Sequence, residues 1–492
     1  MTITPSSLQS DIYKTVLSTN SNIVIEATAG SGKTTTIVEA AKILPRTQKI
    51  LFTSFNKSIV DTLVERLPPY IKCATMHSMG FTTLIKHVKA QCQLDEFKTF
   101  IFADQKFRTK RNVAEKYRVP YNFTISAIIN FMRMNLSERT VQAVEEICDR
   151  YDILPQYGEV EDSLEVFSHL TSYNRHLTSK SKVDFTDMLY LPLTLDHISF
   201  PKFDTVFLDE GQDANKLQQR LIEKMLKPNG RTIVVGDKNQ CIYSFSGSNP
   251  EVFQDFINKD NTISLPLSIS YRCPKRVVAY AAEIYDDIKP YDKAEEGVVR
   301  HGTLDEINEY DMVICRNTRP LIHVYFQLLE RQISATIIGK DIEVGLKKVI
   351  ANYSNIPIDT INERLLDQLD DLSIELKAKG VKKPNKHTRY IEFDEKIKAI
   401  EVLGKGLQIG AQIEKRIEEM FKDKKVAAKL YTGHRSKGLE NDRVFFIESF
   451  EGKKLIPSPY ATQAWQLEQE NNLLFVIRTR AKKEFITISN VE

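Results

Sequence analysis

Asn22-Ile23-Val24-Ile25-Glu26-Ala27-Thr28-Ala29-Gly30-Ser31-Gly32-Lys33-Thr34-Thr35 is the stretch from which the rest of this chain is read. Residues 22–26 form an apolar run of strand length, and residues 32–43 have helical periodicity. A glycine-containing loop between a strand and a helix turns its backbone N–H groups toward a phosphate, and the helix N-terminus adds positive potential. Ala29, Gly30, Ser31, Gly32 and Thr35 would then line the cradle. Lys33 would reach the β- and γ-oxygens, and Thr34 would ligate Mg²⁺. The phosphate-loop pattern asks for Gly at the position of Ala27. A Gly-rich turn that only caps a helix is the plainer alternative.

Outward from the loop, residues 49–53 read as a second strand. Residues 57–67 place Val60, Leu63, Val64 and Leu67 on one helical face, ended by Pro68-Pro69. A charged, helix-rich stretch follows from about 82 to 182, and apolar runs return at 205–208 and 232–235. A second series of strands is predicted at 263–267, 311–315, 335–338, 428–432, 443–447 and 484–488, interrupted by a Lys/Glu-rich segment. Continuous apolar strands separated by helices predict parallel sheets covered on both faces, an α/β class. The predicted organisation is a first sheet domain of residues 1–84 and 183–262 with a helical insertion, 85–182. A second sheet domain of 263–340 and 428–492 carries a shorter insertion, 341–427.

Val206-Phe207-Leu208-Asp209-Glu210 gives the loop a partner. An apolar strand that delivers two carboxylates to its end suits a metal ligand at Asp209 and a water-activating base at Glu210. Alone, such a pair is a solvated strand end. Downstream of a phosphate loop it implies ATP hydrolysis, with ATP and Mg²⁺ as cofactors.

The 492 residues suffice for about three domains. No run of about 20 apolar residues predicts a membrane span, and Met1-Thr2-Ile3-Thr4-Pro5 lacks a secretion-signal layout. Six scattered cysteines without a CxxC pair argue against a zinc site or disulfide framework and fit a reducing cytosol, nucleoid-associated or in a host cell. At net charge +3, any nucleic-acid groove must be locally basic or rely on stacking.

Five further segments, Asp209–Asp213, Gly236–Phe245, Ser270–Pro274, Thr432–Glu440 and Leu474–Lys482, resemble in that order along the chain the UvrD/Rep/PcrA-type superfamily 1A DNA helicases. Asp209-Glu210-Gly211-Gln212-Asp213 is similar to that family's DExQD box, and the run from Gly236 through Gln240 and Tyr243 to Phe245 resembles GDxxQxIYxW. Ser270-Tyr271-Arg272-Cys273-Pro274 resembles the NYR segment, Thr432 to Glu440 resembles TxHxxKGLE, and Leu474 to Lys482 resembles the closing YVxxTRAK. The resemblance covers the two sheet domains and implies tandem RecA-like motors. It also implies roles: Gln9 reads adenine, Tyr271 stacks on the base, and Gln240 senses the γ-phosphate. Arg272 and Arg480 act as arginine fingers, and Glu440 contacts the nucleotide. Phe55, His77, Tyr243, Phe245 and His434 would meet the single strand, each with core packing as its plainer alternative. Phe245 stands in place of the usual Trp, Ser246 in place of Arg, and Asn441 where an aromatic is frequent.

The insertions match no family segment. Lys106, Arg108, Lys110, Arg111, Lys116 and Arg118 read either as phosphate contacts or as a solvated helix face. Lys377, Lys379, Lys382, Lys383, Lys386 and Arg389 read as an exposed basic loop. The resemblance implies a helicase moving 3′ to 5′ on single-stranded DNA, acting at single-strand/duplex junctions, with ATP hydrolysed between the motor domains. The alternatives are a translocase that strips proteins and unwinds little alone, the motor of a nuclease or repair complex, and a nucleotide-dependent binding switch. The short 341–427 insertion, a candidate partner surface, favours the translocase. The chain end leaves no room for an appended nuclease, and stacking platforms leave RNA open as a track.

Overall fold

The computed structural model describes residues 5–54, 57–89, 91–110, 114–155, 158–244, 247–248, 250–378, 381, 383–459 and 461–491. The chain divides into two compact units, Met1–Ala27 with Gly32–Leu267, and Ser268–Glu492 with the loop Thr28–Ser31.

The first unit is built on a six-stranded sheet. Its strands are β1 (Asn22–Ala27), β2 (Ile50–Ser54), β3 (Lys72–Thr75), β4 (Phe203–Leu208), β5 (Leu226–Gly236) and β6 (Thr262–Leu267). They lie in the order β3-β2-β4-β5-β1-β6, every pair parallel. Successive side chains of a strand point to opposite faces. Ile23, Ile25, Phe52, Phe207, Ile233 and Val235 enter one core, while Val24, Leu51, Val206, Leu208 and Val234 enter another. Both faces are therefore dry, which is why the strands read as unbroken apolar runs.

Helices α1 (Ser7–Ser18), α2 (Lys33–Lys42) and α3 (Lys57–Arg66) supply the first core, and α4 (Met76–Val88) opens the second. The chain then adds α5 (Lys98–Phe107), α6 (Arg118–Met134), α7 (Val141–Arg150) and α8 (Glu159–Asn174) around a separate core of Phe107, Tyr121, Ile125, Ile129, Ile147 and Phe167. Helices α9 (Phe185–Thr194), α10 (Lys216–Met225) and α11 (Pro250–Asn258) complete the second face of the sheet.

The second unit opens with β7 (Ile269–Ser270), helix α12 (Lys275–Ala282) and β8 (Lys289–Pro290), the two short strands pairing in parallel. Its main sheet contains β9 (Val298–His301), β10 (Met312–Cys315), β11 (Ala335–Ile338), β12 (Ala428–Thr432), β13 (Asn441–Ile447) and β14 (Ala481–Ile488). The order is β9-β14-β13-β10-β12-β11, again all parallel. Val313, Leu430, Phe445 and Ile486 share one core with α13 (Thr318–Glu330), α14 (Lys340–Ile350), α15 (Ile358–Ala378), α16 (Thr388–Gly404) and α17 (Gly410–Phe421). Helix α18 (Ala464–Arg478) precedes the last strand.

One predicted strand belongs elsewhere. Residues 263–267, expected to open the second domain, form the edge of the first sheet, where Ile23 pairs with Ile263 and Ala27 with Leu267. The reason is physical: Pro266 has no N–H to give a central ladder, so the strand suits an edge. A lone edge strand carries no sequence signal naming its sheet.

Candidate active site

In a parallel sheet all carboxyl ends of the strands share one edge, where binding loops gather. In the first unit β1 runs into the phosphate-loop segment, β4 into Asp209 and Glu210, and β5 into Asp237. Because β5 lies between β1 and β4, two residues distant in sequence meet: Thr34 Oγ1 donates to Asp209 Oδ2 at 2.7 Å. Lys33 Nζ stands 3.9 Å from Glu210 Oε2. Gly30 (φ +71°) and Gly32 (φ +79°) hold left-handed conformations that a side chain rarely adopts.

Asp209 is fully buried. Burial, followed by the neighbouring Glu210 carboxylate, pushes its carboxyl up to about 6, with the Thr34 hydroxyl and Lys33 opposing. Nearby, Asp209 N donates to the Thr53 carbonyl, and the buried Thr53 Oγ1 and Ser54 Oγ have no hydrogen-bond partner among the described residues. A hydroxyl beside an under-compensated carboxylate is a hard-oxygen pair that suits Mg²⁺. Among the described residues no group of three or more His, Cys, Asp or Glu side chains could hold a metal by itself. These residues therefore fit an ion that takes its remaining ligands from phosphates and water.

Glu210 itself has φ +55°, a left-handed conformation that costs a non-glycine residue energy. A chain of hydrogen bonds fixes it: Gln212 Nε2 donates to Glu210 Oε2 at 2.5 Å, and Asp237 N donates to Gln212 Oε1 at 2.9 Å. Gln240 Nε2 then donates to Asp237 Oδ2 at 2.6 Å, so the carboxylate and the glutamine belong to one network. Gln9 is buried, accepts from Ser6 N at 2.9 Å and donates to Thr36 Oγ1 at 3.0 Å on α2. Thr35 Oγ1 accepts from Arg66 at 3.1 Å.

In the second unit Arg272 Nε donates to Glu440 Oε2 at 2.7 Å, bringing two predicted nucleotide contacts together. Arg480, 1% exposed, donates to the carbonyls of Val476 at 2.6 Å and Leu439 at 3.0 Å and to Thr479 Oγ1 at 3.0 Å. Tyr271 is open to solvent.

Of the predicted strand contacts, Phe55 and Phe245 lie outside the described residues. His77 opens α4 and Tyr243 follows the glutamine turn, both half-buried. Burial lowers the His77 pKa; burial and then Arg316 push His434 down to about 3. Both rings are therefore neutral near pH 7.

Sequence reasoning missed Phe185. Its ring is 46% exposed and meets His77 edge-on, centroids 6.2 Å apart. The available signal was Asp184-Phe185-Thr186-Asp187, a capping box that sets Phe185 in the first turn of α9. Also missed was the buried network behind it, in which Lys98 and Arg133 meet Asp184 and Asp187.

Among the described residues, four cations of the basic stretch in the first insertion are internally paired. Lys106 meets Glu165, Arg108 and Arg118 meet Asp104, and Lys110 meets Asp162. Arg111 lies outside the described residues. In the second insertion Arg389 pairs with Glu375, Lys377 and Lys383 are exposed, and Lys379 and Lys382 lie outside the described residues. Among the described residues no helix is long and apolar enough to cross a membrane.

The family model of the UvrD/REP helicase N-terminal domain matches residues 8–261. Among similar proteins, F-box DNA helicase 1 of Gallus gallus is 24% identical over 96% of this chain and 47% of its own length. ATP-dependent DNA helicase Rep of Buchnera aphidicola subsp. Acyrthosiphon pisum is 24% identical over 59% of the chain and 47% of its own. ATP-dependent DNA helicase PcrA of Bacillus subtilis is 24% identical over 55% of the chain and 38% of its own. The chain thus spans less than half the length of each of these relatives. The matched segment exceeds half of the chain and carries the Thr34–Asp209 and Glu210–Gln212 contacts, so the chain belongs to the UvrD/REP helicase family.

Proposed function

We propose that this chain is an ATP-driven motor that translocates 3′ to 5′ on single-stranded DNA and unwinds duplex at single-strand/duplex junctions. The observation that carries the reading is the meeting of Thr34 with Asp209 and of Lys33 with Glu210, on loops 175 residues apart. The DNA track is carried over from relatives named as DNA helicases. The polarity rests on the family resemblance.

In this reading Thr34 and Asp209 would hold Mg²⁺, which would supply charge neutralisation for the phosphate oxygens. Lys33 adds positive charge at the same oxygens. Glu210 accepts a proton from the water that attacks the γ-phosphorus as the bond to the β-phosphate oxygen breaks, and Gln240 orients the γ-phosphate. Arg272 and Arg480 serve the same hydrolysis by stabilising charge on the transferring group. Gln9 and Tyr271 take the base, and Glu440 takes the ribose or phosphate side of the nucleotide. His77, Tyr243, His434, Phe55 and Phe245 are the residues proposed to meet the strand, with Phe185 added to them. Neutral imidazoles suit stacking and hydrogen bonding to bases better than salt-sensitive phosphate contact.

A second reading, a translocase that displaces proteins or serves a partner complex, is favoured by the pairing of Lys106, Arg108, Lys110 and Arg118 with acidic neighbours in the first insertion. Matched duplexes with a 3′ tail, a 5′ tail or blunt ends decide between them. ATP-dependent separation of the 3′-tailed duplex is the expected result. Strand-stimulated hydrolysis without separation on any substrate would overturn the helicase reading in favour of the translocase.

A further inference from the structure

Tyr271 leaves 42% of its surface open, so little of its own packing fixes the plane of its ring. What stands beside it is a second tyrosine. The ring centroids of Tyr271 and Tyr291 are 5.1 Å apart and their planes are inclined at 46°. Tyr291 is itself 37% exposed. The pair is a surface feature, and core formation does not account for it.

The backbone explains why the rings meet. Strand β8 pairs in parallel with β7, Lys289 opposite Ile269 and Pro290 opposite Ser270. The ladder continues one residue further, where Tyr291 N donates to the Ser270 carbonyl at 3.1 Å. Tyr291 O then accepts from Ala294 N at 2.8 Å, tying the following turn back. A two-residue strand pair buries almost nothing and earns little stability. Its consequence is register: the residue after β8 is carried beside the residue after β7.

We infer that Tyr291 is a positioning residue for Tyr271, holding that ring in the orientation in which it stacks on the nucleobase. The inference rests on the proposed reading of Tyr271 as the base-stacking residue. An inclined aromatic neighbour narrows the rotation of an exposed tyrosine and so lowers the ordering cost when a base lands on it. Tyr291 acts through Tyr271 and does not touch the base.

The test is steady-state ATP hydrolysis by the full chain with saturating single strand, using Tyr291→Ala, Tyr291→Phe, Tyr271→Ala and the double alanine variant. Tyr291→Ala is expected to raise KM for ATP about fivefold with kcat within about twofold, and Tyr291→Phe to restore KM because the ring suffices. The double variant should be no worse than Tyr271→Ala, since one residue works through the other. Tyr271→Ala raising KM while Tyr291→Ala does not would overturn the positioning role and leave the base reading standing. No change with either would overturn the base reading and the inference together. Additive losses in the double variant would show that Tyr291 meets the base itself, again overturning the indirect role. Melting curves guard against misfolding, and both rings are exposed enough for the alanine variants to fold.

Discussion

Glu210 holds a left-handed backbone (φ +55°) that costs of order 1–3 kcal/mol, and the chain through Gln212, Asp237 and Gln240 keeps it there. Strain of this kind persists where position matters more than stability. Replacing the carboxylate by an amide of the same shape keeps the contact with Gln212 within reach and removes the base. Glu210→Gln should therefore bind ATP and single strand normally and hydrolyse at least about 100-fold more slowly in a single-turnover assay. Loss of ATP binding in that variant would make Glu210 a structural residue. Lys33→Ala should abolish hydrolysis, and near-normal turnover would remove the phosphate-loop assignment. These residues were legible because local chemistry defines them: a glycine loop and a strand-end acid pair need no tertiary knowledge. Phe185 was not, because an aromatic after Asp184 looks like any buried phenylalanine until the capping box is seen to leave it half-exposed.

At the scale of elements, the N-terminus of α9 is where the first insertion is fastened. Lys98 Nζ lies 2.5 Å from Asp187 and 2.6 Å from Asn174 Oδ1, and Arg133 lies 2.8 Å from Asp187 and 2.9 Å from Asp184, all buried. Two cations face two carboxylates, so the group is balanced, and removing one member leaves a buried charge without its partner. Asp187→Ala should cost about 3–5 kcal/mol in chemical denaturation, whereas Asp11→Ala, which breaks the exposed pair with Lys14, should cost less than about 1 kcal/mol. Equal small losses would mean that the network is not what fastens α5 and α6 to α9. The elements the sequence hid share one cause. Strands β3 and β9 lie at sheet edges with burial too incomplete to write an apolar run, and β6 is an edge strand assigned to the wrong sheet. Interior strands such as β10 and the Val444–Ile447 end of β13 were readable because burial on both faces favours an unbroken apolar run.

At the scale of the whole chain, the groups proposed for one hydrolysis are divided between two units. Lys33, Thr34, Asp209, Glu210 and Gln240 belong to the first, and Arg272 and Arg480 to the second. Arg480 separates a structural account from a catalytic one. Its guanidinium makes three donations inside its own unit, a fork geometry that an ammonium does not reproduce. If that were its whole purpose, Arg480→Lys would lower the melting temperature and leave hydrolysis by the surviving folded protein nearly intact. If it also stabilises charge on the transferring phosphoryl, hydrolysis should fall at least about 100-fold at a temperature where the variant is fully folded. Its Kd for ATP, read by equilibrium titration, should stay within a few-fold, because Gln9, Lys33 and Thr34 lie in the other unit. Arg272→Lys supplies the comparison: its guanidinium donates to Glu440 at 2.7 Å and to the Thr479 carbonyl at only 3.5 Å, and leaves less of the fold dependent on it. Loss of hydrolysis in both variants with binding retained is the expected pattern, and near-normal turnover in both would mean that the second unit supplies no arginine to the reaction.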